Sequence, residues 1–190
     1  MKKGRILLSS LIATGVLLGG CSSKTEEKKE NPITNATDKE KVQSSSNNGE
    51  YTFKDGKVSM EDIDLTITKY KVIPIGEKGN EHGTNPVIAF WYDVTNKSDK
   101  DISPWAAWSA TFGDMNSVIQ DNDKNKLSNL EGAFHPDCTL VNNDFVTIKK
   151  GGRVSGACAY KLTDLTTNVK LIAHKGFGGI ELGSQEFKVN

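Results

Sequence analysis

An all-β fold, an antiparallel sandwich of about 140 residues, is what this sequence of 190 residues predicts. Three observations carry the prediction. About seven short alternating apolar and polar runs recur at intervals of roughly 8–15 residues after Tyr51. Glycine, proline, asparagine and aspartate clusters separate those runs, each able to supply a turn. No sustained helical period lies between them, which argues against a parallel sheet with crossover helices. A small barrel is the nearest competing architecture.

The first run, "YTFKDGKVSM", alternates around Asp55-Gly56, a dipeptide that takes positive φ readily and suits a two-residue hairpin turn. "DIDLTITKYKVI" places Ile63, Leu65 and Ile67 on one face, after which the apolar parity moves to Tyr70 and Val72. A parity change inside one strand turns its buried face outward unless an extra residue is accommodated, so a bulge is expected near Thr68-Lys69. "PVIAFWYDVTNKSDKDISP" is the strongest strand. Ile88, Phe90, Tyr92 and Val94 share a face, an Asn/Ser/Asp cluster and Pro104 close it, and a central place in a sheet is expected.

"WAAWSATFGDM" and "SVIQD" fit either a kinked extended segment or a helical turn followed by a strand, and the extended reading is favoured. "GRVSGACAYKL" puts Val154, Cys158, Tyr160 and Leu162 on one face. "NVKLIAH" follows, and "IELGSQEFKV" supplies two further alternating pieces. No internal repeat is visible, so a propeller or solenoid is excluded.

Residues 1–50 read differently. Met1 to Arg5 is basic, Ile6 to Leu18 is apolar and uncharged, and Leu18-Gly19-Gly20-Cys21 follows. The apolar run is shorter than the roughly 20 residues of a spanning helix, so residues 1–20 are expected to be a signal peptide. Leu-Gly-Gly-Cys is a lipobox: small residues suit the signal peptidase, and the Cys21 thiol accepts a diacylglyceryl group before cleavage. Two or more acyl chains hold firmly where one binds marginally. Residues 21–50 carry almost no large apolar side chains and cannot offset their ordering entropy, so a disordered tether is expected before a domain at 51–190.

Charge narrows the partners. The chain has 24 basic and 24 acidic residues; without Lys2, Lys3 and Arg5, 21 basic residues face the 24 acids, a net charge of −3. With no basic stripe and no nucleic-acid motif, nucleic acid is set aside.

The stretches "PVIAFWYDVTNKSDKDISPWAAW" and "GGRVSGACAYKLTDLTTNVKL" together resemble a family of Gram-positive lipoproteins that carry an immunoglobulin-like domain of unknown function, relatives of a small secreted mycobacterial antigen. The matched features are an aromatic strand running into "NKSDKDISP", a glycine-led turn before a late strand, and "LTDLTTNV" before the next. The resemblance covers Ile63 to Val189. It implies an immunoglobulin-like sandwich at the cell membrane, lipid-anchored on the extracellular face, and it brings no catalytic residues.

Within the domain, Cys138 and Cys158 form an even pair in an exported chain, where a disulfide is expected. The rival is a catalytic thiol, with "HPDC" setting His135 and Asp137 beside Cys138, but a nucleophile and its base usually converge from separate elements. His82 and His174 lack the i, i+4 spacing of a metal pair and are expected in solvated loops. Asp121, Asp123 and Asn125 resemble the start of a calcium loop. Lys126 then stands where the loop needs glycine, and Gly132 where it needs glutamate. "GFGGIELG" lacks the strand-to-helix context of a phosphate loop and reads as a turn.

Trp105 and Trp108, just after Pro104, are the candidate binding surface for a protein or carbohydrate. No catalytic residue, metal or cofactor is expected. The sequence therefore predicts a lipid-anchored binding module, held at the membrane by its N-terminal lipid, whose partner is an unidentified envelope protein, peptide or glycan. A surface enzyme, a weak calcium binder, and a lipoprotein of envelope stress, immunity or phage exclusion are the alternatives.

Overall fold

The computed structural model describes residues 51–190. The expected signal peptide, the lipid site Cys21 and the expected tether lie outside them. Nine strands and one α-helix are present among the described residues, in two antiparallel sheets. The expected sandwich is what the chain forms.

β1 (Thr52–Lys54) and β2 (Lys57–Ser59) make the expected hairpin, with Asp55 at φ 51° and Gly56 at φ 74°. Positive φ at both central residues gives the turn a twist that matches the strands it joins. β3 (Ile63–Ile73) pairs with β4 (Val87–Asn96), and the register shifts between Ile67 and Lys69. Thr68 is thus the extra residue, and the bulge keeps both halves of β3 facing the core: Leu65 lies opposite Val94, and Tyr70 opposite Phe90. On β4, Ile88, Phe90, Tyr92 and Val94 are all fully buried on one face, as expected.

The segment after β4 corrects the extended reading. Pro104–Phe112 is a helix, α1. The Ser103 hydroxyl accepts the Ala106 N–H at its start, Pro104 occupies its first turn, and the Gly113 N–H donates to the Ser109 carbonyl at its end. Its buried residues, Pro104, Ala107, Trp108, Thr111 and Phe112, fall at i, i+3, i+4, i+7 and i+8, one face of a helix. That face fills the space between the sheets. Trp108 meets Tyr92 at 4.5 Å and Phe112 at 4.7 Å, centroid to centroid, and Phe90 stands 5.0 Å from Phe187. Such pairs add to the energy of burial itself.

β5 (Val118–Gln120), β6 (Ser128–Asn129), β7 (Arg153–Lys161), β8 (Val169–His174) and β9 (Glu181–Phe187) complete the sheets. The strand orders are β1-β2-β3-β4-β7 and β6-β5-β8-β9. Both flanks of the sandwich are managed. On one, β9 lies so close to β1 that a Cβ on Gly183 would sit 2.8 Å from the Phe53 carbonyl oxygen. On the other, a single segment changes sheets: Leu130 N–H donates to Val118 O of β5, then Ala133 N–H donates to Ala159 O of β7 and Glu131 O accepts from Lys161 N–H. Switching strands of this kind make the corners of packed sheets.

Candidate functional site

The switching segment leads into the loop that carries the site. After Ala133 the chain passes His135 and Cys138, makes a short 3-10 turn at Val141–Asn143, and returns along the edge of β7. Three bonds hold it there: Trp105 N–H to Asp144 O at 3.0 Å, Asn143 Nδ2–H to Ser155 O at 3.1 Å, and Ala133 N–H to Ala159 O at 2.8 Å. Together with α1 they surround a hollow of about 280 Å³ whose walls include Trp105, His135, Asp144, Phe145, Cys158 and Tyr160. The rim is aromatic, with Trp105 46% and Phe145 76% exposed. A second hollow of about 440 Å³ lies beyond Trp105 and shares Gly132 and Tyr160 with the first.

His135 and Asp144 set the electrostatics. The Asp137 N–H donates to His135 Nδ1 at 3.1 Å, so the ring proton resides on Nε2. Nε2 faces Asp144 Oδ1 at 3.6 Å, too far for a hydrogen bond, and both facing atoms are closed to solvent without another partner. Burial raises the Asp144 pKa above the ordinary carboxylate range, and His135 partly opposes the rise. Burial likewise pushes the Cys158 thiol well up, with the Asp144 charge adding to it, so Cys158 is held protonated. Burial also raises Tyr160, whose phenol oxygen accepts the Trp108 Nε1–H at 2.7 Å. An apolar hollow with a few converging polar groups has the make-up of a ligand site.

The structure redistributes the residues singled out in the sequence. Trp105 is presented to solvent, whereas Trp108 is 1% exposed, a core residue seated against Tyr160 and corrected here as a surface contact. Cys138 is exposed, Cys158 is buried, and both are free thiols. They lie on opposite faces of one sheet. Cys158 is opposite Phe90 on the core face, while Cys138 shares an outer hollow with Lys69, Lys71 and Trp91.

"HPDC" is divided in the same way. His135 borders both hollows and turns its Nε2 to Asp144, whereas Asp137 accepts from the Thr139 hydroxyl and from Trp91 Nε1–H at 3.0 Å, which holds its carboxyl below the usual range. His174 is in β8 rather than in a loop. Ser117 Oγ at 3.1 Å and Asp114 Oδ2 at 3.8 Å both address its Nδ1, whereas a catalytic relay needs partners on opposite ring nitrogens. Asp121 is exposed, and Asp123 closes a local turn by accepting the Asn125 N–H. Asp144 and Phe145 carried no signal in the sequence, because "LVNNDFV" has neither period and reaches the site only by folding back on β7.

Residues 38–175 match a family described as a domain of unknown function (DUF5067), and the chain belongs to that family. No curated protein matches it in sequence. Among solved structures, a "putative lipoprotein" from Staphylococcus aureus is similar at 20% identity and a TM-score of 0.60, over 73% of this chain and 91% of that one. A protein from Enterococcus faecalis is similar at 15% identity and a TM-score of 0.52, over 73% and 93%. At these identities the likeness shows the fold.

Proposed function

We propose that this member of the DUF5067 family is a lipid-anchored binding module of the Gram-positive envelope. On this reading residues 1–20 are a lipoprotein signal, Cys21 carries the lipid, residues 21–50 are a tether, and residues 51–190 are an immunoglobulin-like domain that holds its ligand in the hollow beside Trp105. The lipobox supports the anchor. The description of the S. aureus relative as a lipoprotein agrees with it.

One observation carries the binding role: a buried His135–Asp144 pair with unpartnered facing atoms lies at an aromatic-rimmed hollow. Retaining a buried carboxylate oxygen without a hydrogen bond costs stability, and such costs cluster at functional sites. An exposed tryptophan beside a carboxyl and an imidazole suits a ligand with a flat apolar face and hydroxyls or amides at its edge. Glycan rings have that form. On this reading the hollow binds rather than reacts, since burial keeps Cys158, the thiol on its wall, protonated. Titration of the intrinsic tryptophan fluorescence with cell-wall glycan fragments tests this. Saturable change in the native protein that is lost in Trp105→Ala and weakened in Asp144→Asn is expected, whereas equal response in Trp105→Ala overturns the site.

A further inference from the structure

We infer that the end of the domain formed by residues 113–117 and the β8–β9 turn docks on the surface of a lipid bilayer. Met115, Phe177 and Ile180 are 85%, 68% and 67% exposed. Phe177 and Ile180 belong to one turn, and Met115 and Phe177 line one hollow. Large apolar side chains grouped at a loop tip are costly in water and mark an interaction surface.

The tip is built rather than loose. Both oxygens of Asp114 accept the Gly178 N–H, at 3.0 and 2.8 Å, which ties the two loops together. Lys175 N–H donates to Ile180 O at 3.0 Å and Gly179 N–H to Gly176 O at 3.1 Å, closing the turn. A Cβ on Gly113 would stand 2.9 Å from the Phe177 ring, so the first loop packs directly under that side chain. The frame therefore holds three apolar groups outward.

The position of the N-terminal segment selects the partner. The chain enters the domain at Tyr51, whose ring lies 4.0 Å from Lys175 Nζ in the same turn as Phe177 and Ile180. Tyr51 is the first described residue, so the described domain begins beside the tip, and on the anchored reading the lipid-bearing Cys21 stands thirty positions ahead of that point in sequence. An ammonium beside exposed Phe, Ile and Met is also the composition of an interfacial contact, in which the apolar groups enter the headgroup boundary and the cation meets anionic lipid.

The inference rests on the anchored reading for its direction, and the test separates the two. Mature protein from its host is placed in vesicles of phosphatidylglycerol and phosphatidylcholine bearing brominated acyl chains, and mass spectrometry of the N-terminal peptide reports the lipid on Cys21. A Phe177→Trp variant is expected to show quenching beyond that of the native tryptophans. Hydrogen exchange in 113–117 and 175–180 is expected to slow on vesicles, and Met115→Ser with Phe177→Ser and Ile180→Ser to abolish that slowing while the lipid remains. Lipidated protein with no added quenching and no slowed exchange overturns the docking and leaves the anchor standing. An unlipidated Cys21 overturns the anchor, and the same quenching with protein added from solution then still decides the docking. Slowed exchange that follows protein concentration without vesicles assigns the tip to a second copy and overturns the proposal.

Discussion

Asp144 is the residue on which structure and chemistry press hardest. Its Oδ1 is closed to solvent without a hydrogen bond, and burial raises its pKa. A raised folded-state pKa makes the acid most stabilising below the ordinary value of 3.8, and that contribution is lost as pH rises through the folded value. At neutral pH the ionised form therefore carries a penalty. Asp144→Asn is expected to raise stability at pH 7 by about 1 kcal/mol, with the gain shrinking as pH approaches 4; thermal melts across that range measure it. A loss at pH 7 would mean that His135 or another charge holds the carboxylate firmly. The two tryptophans make a second residue-scale contrast. Trp108→Ala removes a buried ring and leaves the Tyr160 hydroxyl without its donor, at a cost of about 3–5 kcal/mol by denaturant unfolding. Trp105→Ala changes stability by no more than about 0.5 kcal/mol, so a binding loss there reports on the site alone.

Among the elements, the strands were legible and the helix was readable in principle. β4 shows its buried face by alternation, and the parity change in β3 locates the bulge because a side-chain period of two leaves only one way to keep Ile67 and Tyr70 on the same face of the sheet. α1 follows a different rule. Its apolar residues at 104, 107, 108, 111 and 112 match a helical face, and Ser103 followed by Pro104 is a start signal, yet with nine residues and exposed Trp105 and Ala106 interrupting the pattern it also reads as irregular strand. Ser103→Ala is expected to cost about 1 kcal/mol, since the hydroxyl satisfies the Ala106 N–H. Gly183 tests the closure of the sandwich in the same units. At φ 137° and with the Phe53 carbonyl 2.8 Å from a new Cβ, Gly183→Ala is expected to destabilise by roughly 1–3 kcal/mol. An unchanged unfolding midpoint would show that β9 can draw away from β1.

At the scale of the whole molecule, two layers were visible from strand spacing, whereas the site was not, because it is assembled by a loop that crosses from one sheet to the other. His135 and Asp144 are nine positions apart, and nothing local to either announces that both will meet α1 and β7. The cysteines show the same dependence on tertiary placement. Twenty residues of separation suit a bridge, but β7 turns Cys158 to the core beside Phe90 while the loop holds Cys138 on the outer face near Trp91. Cys138 is therefore expected to react with a thiol reagent in the native protein without delay, and Cys158 only when the 134–146 loop lifts from the edge of β7 or the domain unfolds. The rate at Cys158 thus measures the opening of the wall that also forms the ligand hollow. Mass spectrometry of natively labelled, unreduced protein decides the matter: single modification at Cys138 with slow gain at Cys158 fits this arrangement, whereas a crosslinked peptide pair would require the loop to have left β7 before the bond closed. Ligand bound beside Trp105 should slow the second reaction and leave the first unchanged, since only Cys158 lies behind the occupied hollow.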